Sequence, residues 1–326
     1  MQAKNLFTLT TIAALTAGTI LGSAPAFADD SAKLSLAYQY GLAYAPALIA
    51  QQEGYIEEAY REATGKDVEI TWNQMSSGAD INTGIASGEL QGGFMGLAPA
   101  ITGVMKGVGY RVFSNLSGQR HGLMTNDPAI TSLGDLVESD KQIALVNIGS
   151  IQHILLAKAL TDCGYDAHAL DASIVAMAHP DGMTALESGS VSCHLTSSPY
   201  IFMELDNDTL TELPEVNNTW TDKDSFIVGV ASEELKDGDP DLYKALCDGI
   251  SRGIDLINSD PETAAGIIYE LDGNTLEDEL AYMKLGSYSV ETSGIFEIAT
   301  FMADNGFLEA APASYEDLVF ENVKGD

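Results

Sequence analysis

Thr83-Gly-Ile-Ala-Ser-Gly-Glu-Leu90, continuing through Gly92-Gly-Phe-Met-Gly-Leu-Ala-Pro99-Ala-Ile101, is echoed later in the chain. The echo is Thr184-Ala-Leu-Glu-Ser-Gly-Ser-Val191, continuing through Ser192-Cys-His-Leu-Thr-Ser-Ser-Pro199-Tyr-Ile201. Each copy reads as a helix ending at Ser-Gly, a short strand, and a small-residue turn closed by proline. One such unit in each half predicts two similar α/β lobes presenting equivalent loops to a shared cleft.

Working outward, Ala32 to Tyr38 alternates as a first strand, and Ala45 to Gly54 reads as a helix with Pro46 in its first turn and Gly54 at its C-cap. Tyr55 to Thr64 continues helically, and Asp67 to Trp72 is a second strand. Strand and helix alternating in this order predict a mostly parallel sheet. Tyr110 to Leu116 and Gly122 to Thr125 read as strands leading out of the first lobe. Gln142 to Asn147, Ile174 to Met177 and Val191 to Leu195 are the strands of the second, and Phe226 to Ala231 returns the chain to the first. Lobe I therefore comprises 29–125 and 226–326, and lobe II comprises 126–225. An inserted lobe requires two chain crossings, which act as a hinge.

Residues 1–28 read as a signal peptide. Lys4 precedes an apolar run from Leu6 to Leu21, and Ala26-Phe27-Ala28 supplies a small-x-small cleavage site. The apolar run is shorter than a bilayer span, and no cysteine follows the cleavage site to carry a lipid. The expected location is the periplasm, free of a membrane anchor. A net charge of −33 argues against nucleic acid or anionic lipid as a partner and reads as a solubilising surface. The three cysteines, Cys163, Cys193 and Cys247, fit either one disulfide with a thiol left over or three unpaired side chains. Neither they nor the five histidines show metal-ligand spacing, so no metal or cofactor is expected.

In open α/β sheets, ligands lie beyond the carboxyl ends of the strands, where helix N-termini offer unpaired N–H groups and the positive end of their dipoles. Four segments occupy such places. Tyr40 and Tyr44 follow the first strand and can stack on a ligand or hydrogen-bond to it. Ser76, Ser77 and Gly78 follow the second strand, Leu97 and Ala98 the third, and Gly149 and Ser150 open the first long helix of lobe II. Ser198 and Tyr200 are lobe II's counterparts of Ala98-Pro99. Arg120, one of four arginines, precedes the crossover and could hold a carboxylate or sulfonate in a bidentate grip, or pair with a surface carboxylate. For each serine segment, helix capping alone is the competing reading. His153, His179 and His194 read as structural histidines. No nucleophile elbow, P-loop, dinucleotide fingerprint or His/Cys/Glu cluster is present, so catalysis is not expected.

The order Ser77-Gly-Ala-Asp-Ile-Asn82, Ala86-Ser-Gly-Glu-Leu90, Gly96-Leu-Ala-Pro99, Leu133-Gly-Asp-Leu136, Ile148-Gly-Ser150 and Ser198-Pro-Tyr200 resembles the substrate-binding proteins of nitrate/sulfonate/taurine ABC importers, whose relatives bind thiamine precursors. The taurine-binding branch looks most similar around Ser77 to Pro99. The resemblance implies a two-lobe type II periplasmic binding protein fold that closes on a small, anionic, sulfonate- or taurine-like solute. It also implies a monomer that delivers this solute to an ABC permease in the inner membrane. Gln119-Arg120-His121 departs from the pattern of a taurine binder and admits an aromatic carboxylate or a thiamine-pyrimidine precursor instead. A secreted ligand sensor, or an enzyme on the same fold, are the alternatives of other classes.

Overall fold

The computed structural model describes residues 31–217, 219–220 and 224–326, and the expected signal peptide lies outside them. The chain begins with β1 (Ala32–Tyr38), α1 (Ala45–Glu53), α2 (Tyr55–Thr64), β2 (Val68–Gln74), α3 (Gly78–Ala86), β3 (Gly92–Gly96), α4 (Leu97–Met105) and β4 (Tyr110–Gly118). It continues with β5 (His121–Thr125), α5 (Leu133–Val137), β6 (Ile143–Leu145), α6 (Ile151–Asp162), β7 (Ile174–Ala176), α7 (His179–Glu187), β8 (Cys193–Ser197), α8 (Tyr200–Leu205), β9 (Thr211–Leu213) and α9 (Pro214–Asn217). It closes with β10 (Ile227–Ser232), α10 (Glu233–Gly238), α11 (Pro240–Ser259), α12 (Pro261–Asp272), α13 (Leu276–Met283), β11 (Ser287–Tyr288) and α14 (Ile295–Asp304).

Two sheets result, as the duplicated motif predicts. The first runs β11-β4-β10-β3-β1-β2 and the second β7-β6-β8-β5-β9. In the first, β1 is parallel to β2 and β3, because helices carry the chain back between them. In the second, β6 is parallel to β7 and β8 for the same reason. Each sheet also contains one strand delivered by a crossing: β10 lies antiparallel between β3 and β4, and β5 antiparallel between β8 and β9.

The chain changes sheet between Gly118 and His121 and again between Leu213 and Ile227. Residues 122–125, expected to lead out of the first lobe, hydrogen-bond within the second sheet as β5. Leu123 there lies opposite Leu195 and Leu213 and buries with them in the second core.

The first core is the larger, and it reaches across to the second sheet's helices. Ile151, Ile154 and Leu155 of α6 pack into it. Gly96 sits at that contact, where an added Cβ would come within 2.8 Å of Ile151 Cγ2. Both copies of the motif end their helices as expected, on Ser87-Gly88 and Ser188-Gly189, with glycine φ values of 79° and 75°.

One element differs from expectation. Leu97-Ala98-Pro99 is not a turn but the first turn of α4, running straight on from β3. Proline is tolerated there because first-turn N–H groups have no partner within the helix.

The three cysteines are unpaired, with Cys163 exposed. Among the described residues, no helix is long and apolar enough to cross a membrane, and no group of three or more His, Cys, Asp or Glu could hold a metal ion.

Candidate functional site

The carboxyl ends of both sheets face one cleft. Gln39, Tyr40, Ala43 and Tyr44 line it from beyond β1, Ser76 and Gly78 from beyond β2, and Gly96 and Pro99 from the β3–α4 junction. Phe226 and Ile227 complete that side at the start of β10. Val146, Ser150, Ile151 and Gln152 come from the entry to α6, His179 from the first residue of α7, and Ser197 from the end of β8. The free volume is about 20 Å³, little more than the ~10–15 Å³ that one water occupies. No solute much larger than water fits between the two sides as they stand.

Helix N-termini converge on this space because the lining segments, apart from Phe226-Ile227 at the start of β10, join a strand end to a helix start. Ser77 and Ser150 fix two of those starts. Ser77 Oγ accepts the Asp80 N–H at 3.2 Å and donates to Asp80 Oδ2 at 2.8 Å, whereas Ser150 Oγ accepts the His153 N–H at 3.2 Å. The capping role is thus occupied at both serines, and Ser150 faces the cleft as well. Among the described residues, no Asp, Glu, Lys or Arg belongs to the lining. In a chain of net charge −33, this leaves the cleft a neutral region rich in N–H donors.

Of the sequence-derived candidates, the structure brings Tyr40, Tyr44, Ser76, Gly78 and Ser150 together in the lining. The others lie elsewhere. Ser77 is buried at its cap, and the Leu97 and Ala98 side chains are in the first core, with the Leu97 N–H donating to the Phe226 carbonyl at 2.9 Å. Arg120 Nη2 lies 2.9 and 2.8 Å from the two oxygens of Glu212 on β9, which is the ion-pairing alternative. The Gly149 N–H donates to His153 Nδ1 at 3.0 Å, and Gly149 opens on a separate groove of about 510 Å³ with His168 and Phe307. Ser198 and Tyr200 are buried just behind the cleft, where Gly41 (φ 111°) passes so close that a Cβ would meet the Ser198 carbonyl at 3.1 Å.

Sequence reasoning missed Gln39, Gln152, His179 and Phe226. His179 obeys the rule that located the rest, since it opens a helix directly after a strand. Its place before Pro180 masked this by offering a turn.

Behind His179 lies a buried polar chain. The Gln152 amide nitrogen is 3.0 Å from His179 Nε2, His179 Nδ1 is 3.3 Å from His194 Nε2, and His194 Nδ1 is 2.6 Å from Glu204 Oε1. The Tyr200 ring stacks on His179 with centroids 5.7 Å apart. Burial pushes both histidines down to about 3, with His194 adding to the effect at His179. Burial pushes Glu204 up to about 9, reinforced by the charge of Glu187. All three groups are therefore neutral near pH 7. His153 Nε2 and His168 Nδ1 share Asp171, each at 2.8 Å.

Two α/β sheets joined by two crossings, with a polar cleft between their strand ends, define the architecture of periplasmic solute-binding proteins. Residues 28–269 match the model of the NMT1-like family, and the chain belongs to that family. No curated protein matches it in sequence. Among solved structures, it is similar to the alkanesulfonate-binding protein SsuA of Xanthomonas axonopodis pv. citri bound to MOPS. The TM-score is 0.70 at 17% identity, over 92% of this chain and 100% of that one. It is also similar to the aliphatic sulphonate binding protein SsuA of Escherichia coli (TM-score 0.66, 16% identity, 90% and 93% covered). The nitrate-binding protein NrtA of Synechocystis PCC 6803 gives a TM-score of 0.69 at 13% identity, with 88% and 84% covered. At these identities the likeness is one of fold.

Proposed function

We propose that this protein is the extracytoplasmic solute-binding component of an ABC importer. It captures a small anionic organic solute by closure about the two crossings and passes it to a permease in the inner membrane. The observation that carries this reading is the convergence of helix N-termini on a cleft whose lining, among the described residues, has no charged side chain. An anion placed there meets oriented N–H dipoles and hydroxyls in a water-poor space and no competing carboxylate. Sulfonate and nitrate are the anions named for the similar folds, and a sulfonate of taurine size is the first solute to test. The reading is of a monomeric binder rather than an enzyme, located in the periplasm.

Tyr40, Tyr44 and Phe226 in the lining favour a second solute class, an aromatic carboxylate or a thiamine-pyrimidine precursor stacked between rings. A thermal-shift screen of nitrate, ethanesulfonate, taurine, benzoate and the pyrimidine precursor separates the two classes. A ligand at a hundred times its Kd adds about 2.7 kcal/mol of stability, so a true solute raises the melting temperature clearly. If none of the panel raises it, solute capture is refuted for these classes.

A further inference from the structure

We propose that Glu204 is the positioning residue that sets the hydrogen-bonding polarity of the cleft wall, so that Gln152 meets an anionic solute with its amide N–H groups. The inference rests on the solute-binding reading above and names the residues behind its anion selectivity.

A neutral imidazole has one N–H and one lone pair, so the chain Gln152–His179–His194–Glu204 has two consistent directions. In the inward direction the Gln152 amide nitrogen, 3.0 Å from His179 Nε2, donates to it. His179 Nδ1–H then donates to His194 Nε2, and His194 Nδ1–H to Glu204 Oε1. This direction suits a Glu204 carboxylate. It leaves Gln152 its carbonyl oxygen and a single amide hydrogen for the solute, and the oxygen repels an anion.

In the outward direction Glu204 O–H donates to His194 Nδ1, His194 Nε2–H to His179 Nδ1, and His179 Nε2–H to the Gln152 carbonyl oxygen. The amide NH₂ is then free for the cleft. The two ends of an amide are nearly the same size, so a half-turn at Gln152 moves nothing else.

The buried end favours the outward direction. Glu204 and His194 are both fully buried, and Glu204 Oε2 has no partner. A carboxylate there leaves a charged oxygen bare, and a protonated acid in the inward direction strands its O–H on that oxygen. Only the outward direction puts the acid's proton in the 2.6 Å contact and leaves a carbonyl oxygen, the cheapest group to leave unpaired. Burial, which holds Glu204 neutral up to about pH 9, acts the same way.

The titratable groups facing the chain are Glu187 at the end of α7, which opposes ionisation of Glu204, and Tyr200 stacked on His179. Reversal is balanced. One proton from water in the cleft binds His179 Nε2, the His179 Nδ1 proton passes to His194 Nε2, and the His194 Nδ1 proton passes to Glu204 Oε1.

Long-range ¹H–¹⁵N spectra of histidine-labelled protein test this directly. At pH 7 both His179 and His194 are expected as Nε2–H tautomers, shifting to Nδ1–H as the pH rises past 9. Glu204→Gln, whose amide donates in place of the acid, is expected to hold the Nε2–H form at both pH values. Nδ1–H tautomers in the wild-type protein at pH 7 overturn the proposal without any variant, as does a Glu204→Gln protein that titrates like wild type.

Calorimetry with ethanesulfonate and nitrate supplies the functional arm. Affinity is expected to fall about tenfold, the worth of one lost hydrogen bond to an anion, between pH 7 and pH 10 in wild type and not in Glu204→Gln. Equal falls in both proteins count against Glu204. If neither anion binds, the solute reading fails, while the tautomers still decide the role of Glu204.

Discussion

Counted from the strand starts at Gly92 and Cys193, the two copies of the motif place Gly93 and His194 at the same point of β3 and β8, and both are buried. Gly93 has no side chain to satisfy, and Ile81 of α3 fills the space beside it, its Cγ2 2.9 Å from where a Cβ would stand. His194 in the same setting must be satisfied at two nitrogens, and it draws His179 and Glu204 into the interior. The motif thus fixes a position in the fold, and the residue at that position determines whether the lobe contributes packing or chemistry. Copy one gives the cleft a glycine-lined strand leading straight into a helix, and copy two gives it a buried hydrogen-bond chain.

His194→Phe takes the polar side chain out of the second copy and is expected to have the largest effect. It strands Glu204 and His179, and each neutral group left unpaired in the interior costs about 1–3 kcal/mol. Urea denaturation measures this, and the double variant His194→Phe/Glu204→Leu should recover most of it, because apolar replacement of both partners is close to neutral. A single variant as stable as wild type would show that the polar chain contributes nothing to the second core.

The same chain predicts a pH optimum. His179 and His194 are depressed to about 3, so the unfolded state binds more protons below pH 6.5 and their contribution is lost as pH falls from 6.5 toward 3. Glu204 is raised to about 9, so the folded state holds a proton that the unfolded state releases above about 4.5, and its contribution is lost as pH rises toward 9. Glu204→Gln is expected to abolish the alkaline decline and leave the acid one intact.

Gly96→Val tests the other copy. The new side chain meets Ile151 on α6, and such overpacking costs about 1–3 kcal/mol. It falls on the contact between the two sides of the cleft, so solute affinity should drop with it, read by calorimetry against the solute found by screening. Ser77→Ala and Ser150→Ala each remove an N-cap and should each cost about 1 kcal/mol of stability. Only Ser150→Ala, which also removes a cleft hydroxyl, is expected to weaken binding further. Arg120→Ala is expected to have the smallest effect, less than about 1 kcal/mol of stability for a partly exposed pair and no change in affinity. A marked loss of affinity would return Arg120 to the site.

What was legible in the sequence follows a physical line. Helix ends at Ser87-Gly88 and Ser188-Gly189, the caps at Ser77 and Ser150, and the strand–helix alternation are all local and were visible. The sheet to which residues 122–125 belong was not, because Leu123 finds Leu195 and Leu213 only through tertiary pairing. Arg120 looked available because Glu212 is far from it in sequence. His179, His194 and Glu204 looked unrelated for the same reason, since three segments had to fold before they touched.

The interleaving of β10 between β3 and β4, and of β5 between β8 and β9, has a consequence for assembly. The first sheet cannot close until the chain has been made beyond Ile227, so its centre is completed by a segment that arrives after the whole second sheet. Such long-range closure favours slow folding. No single cut in the chain yields two fragments that each carry a whole sheet, and the two halves are therefore one folding unit.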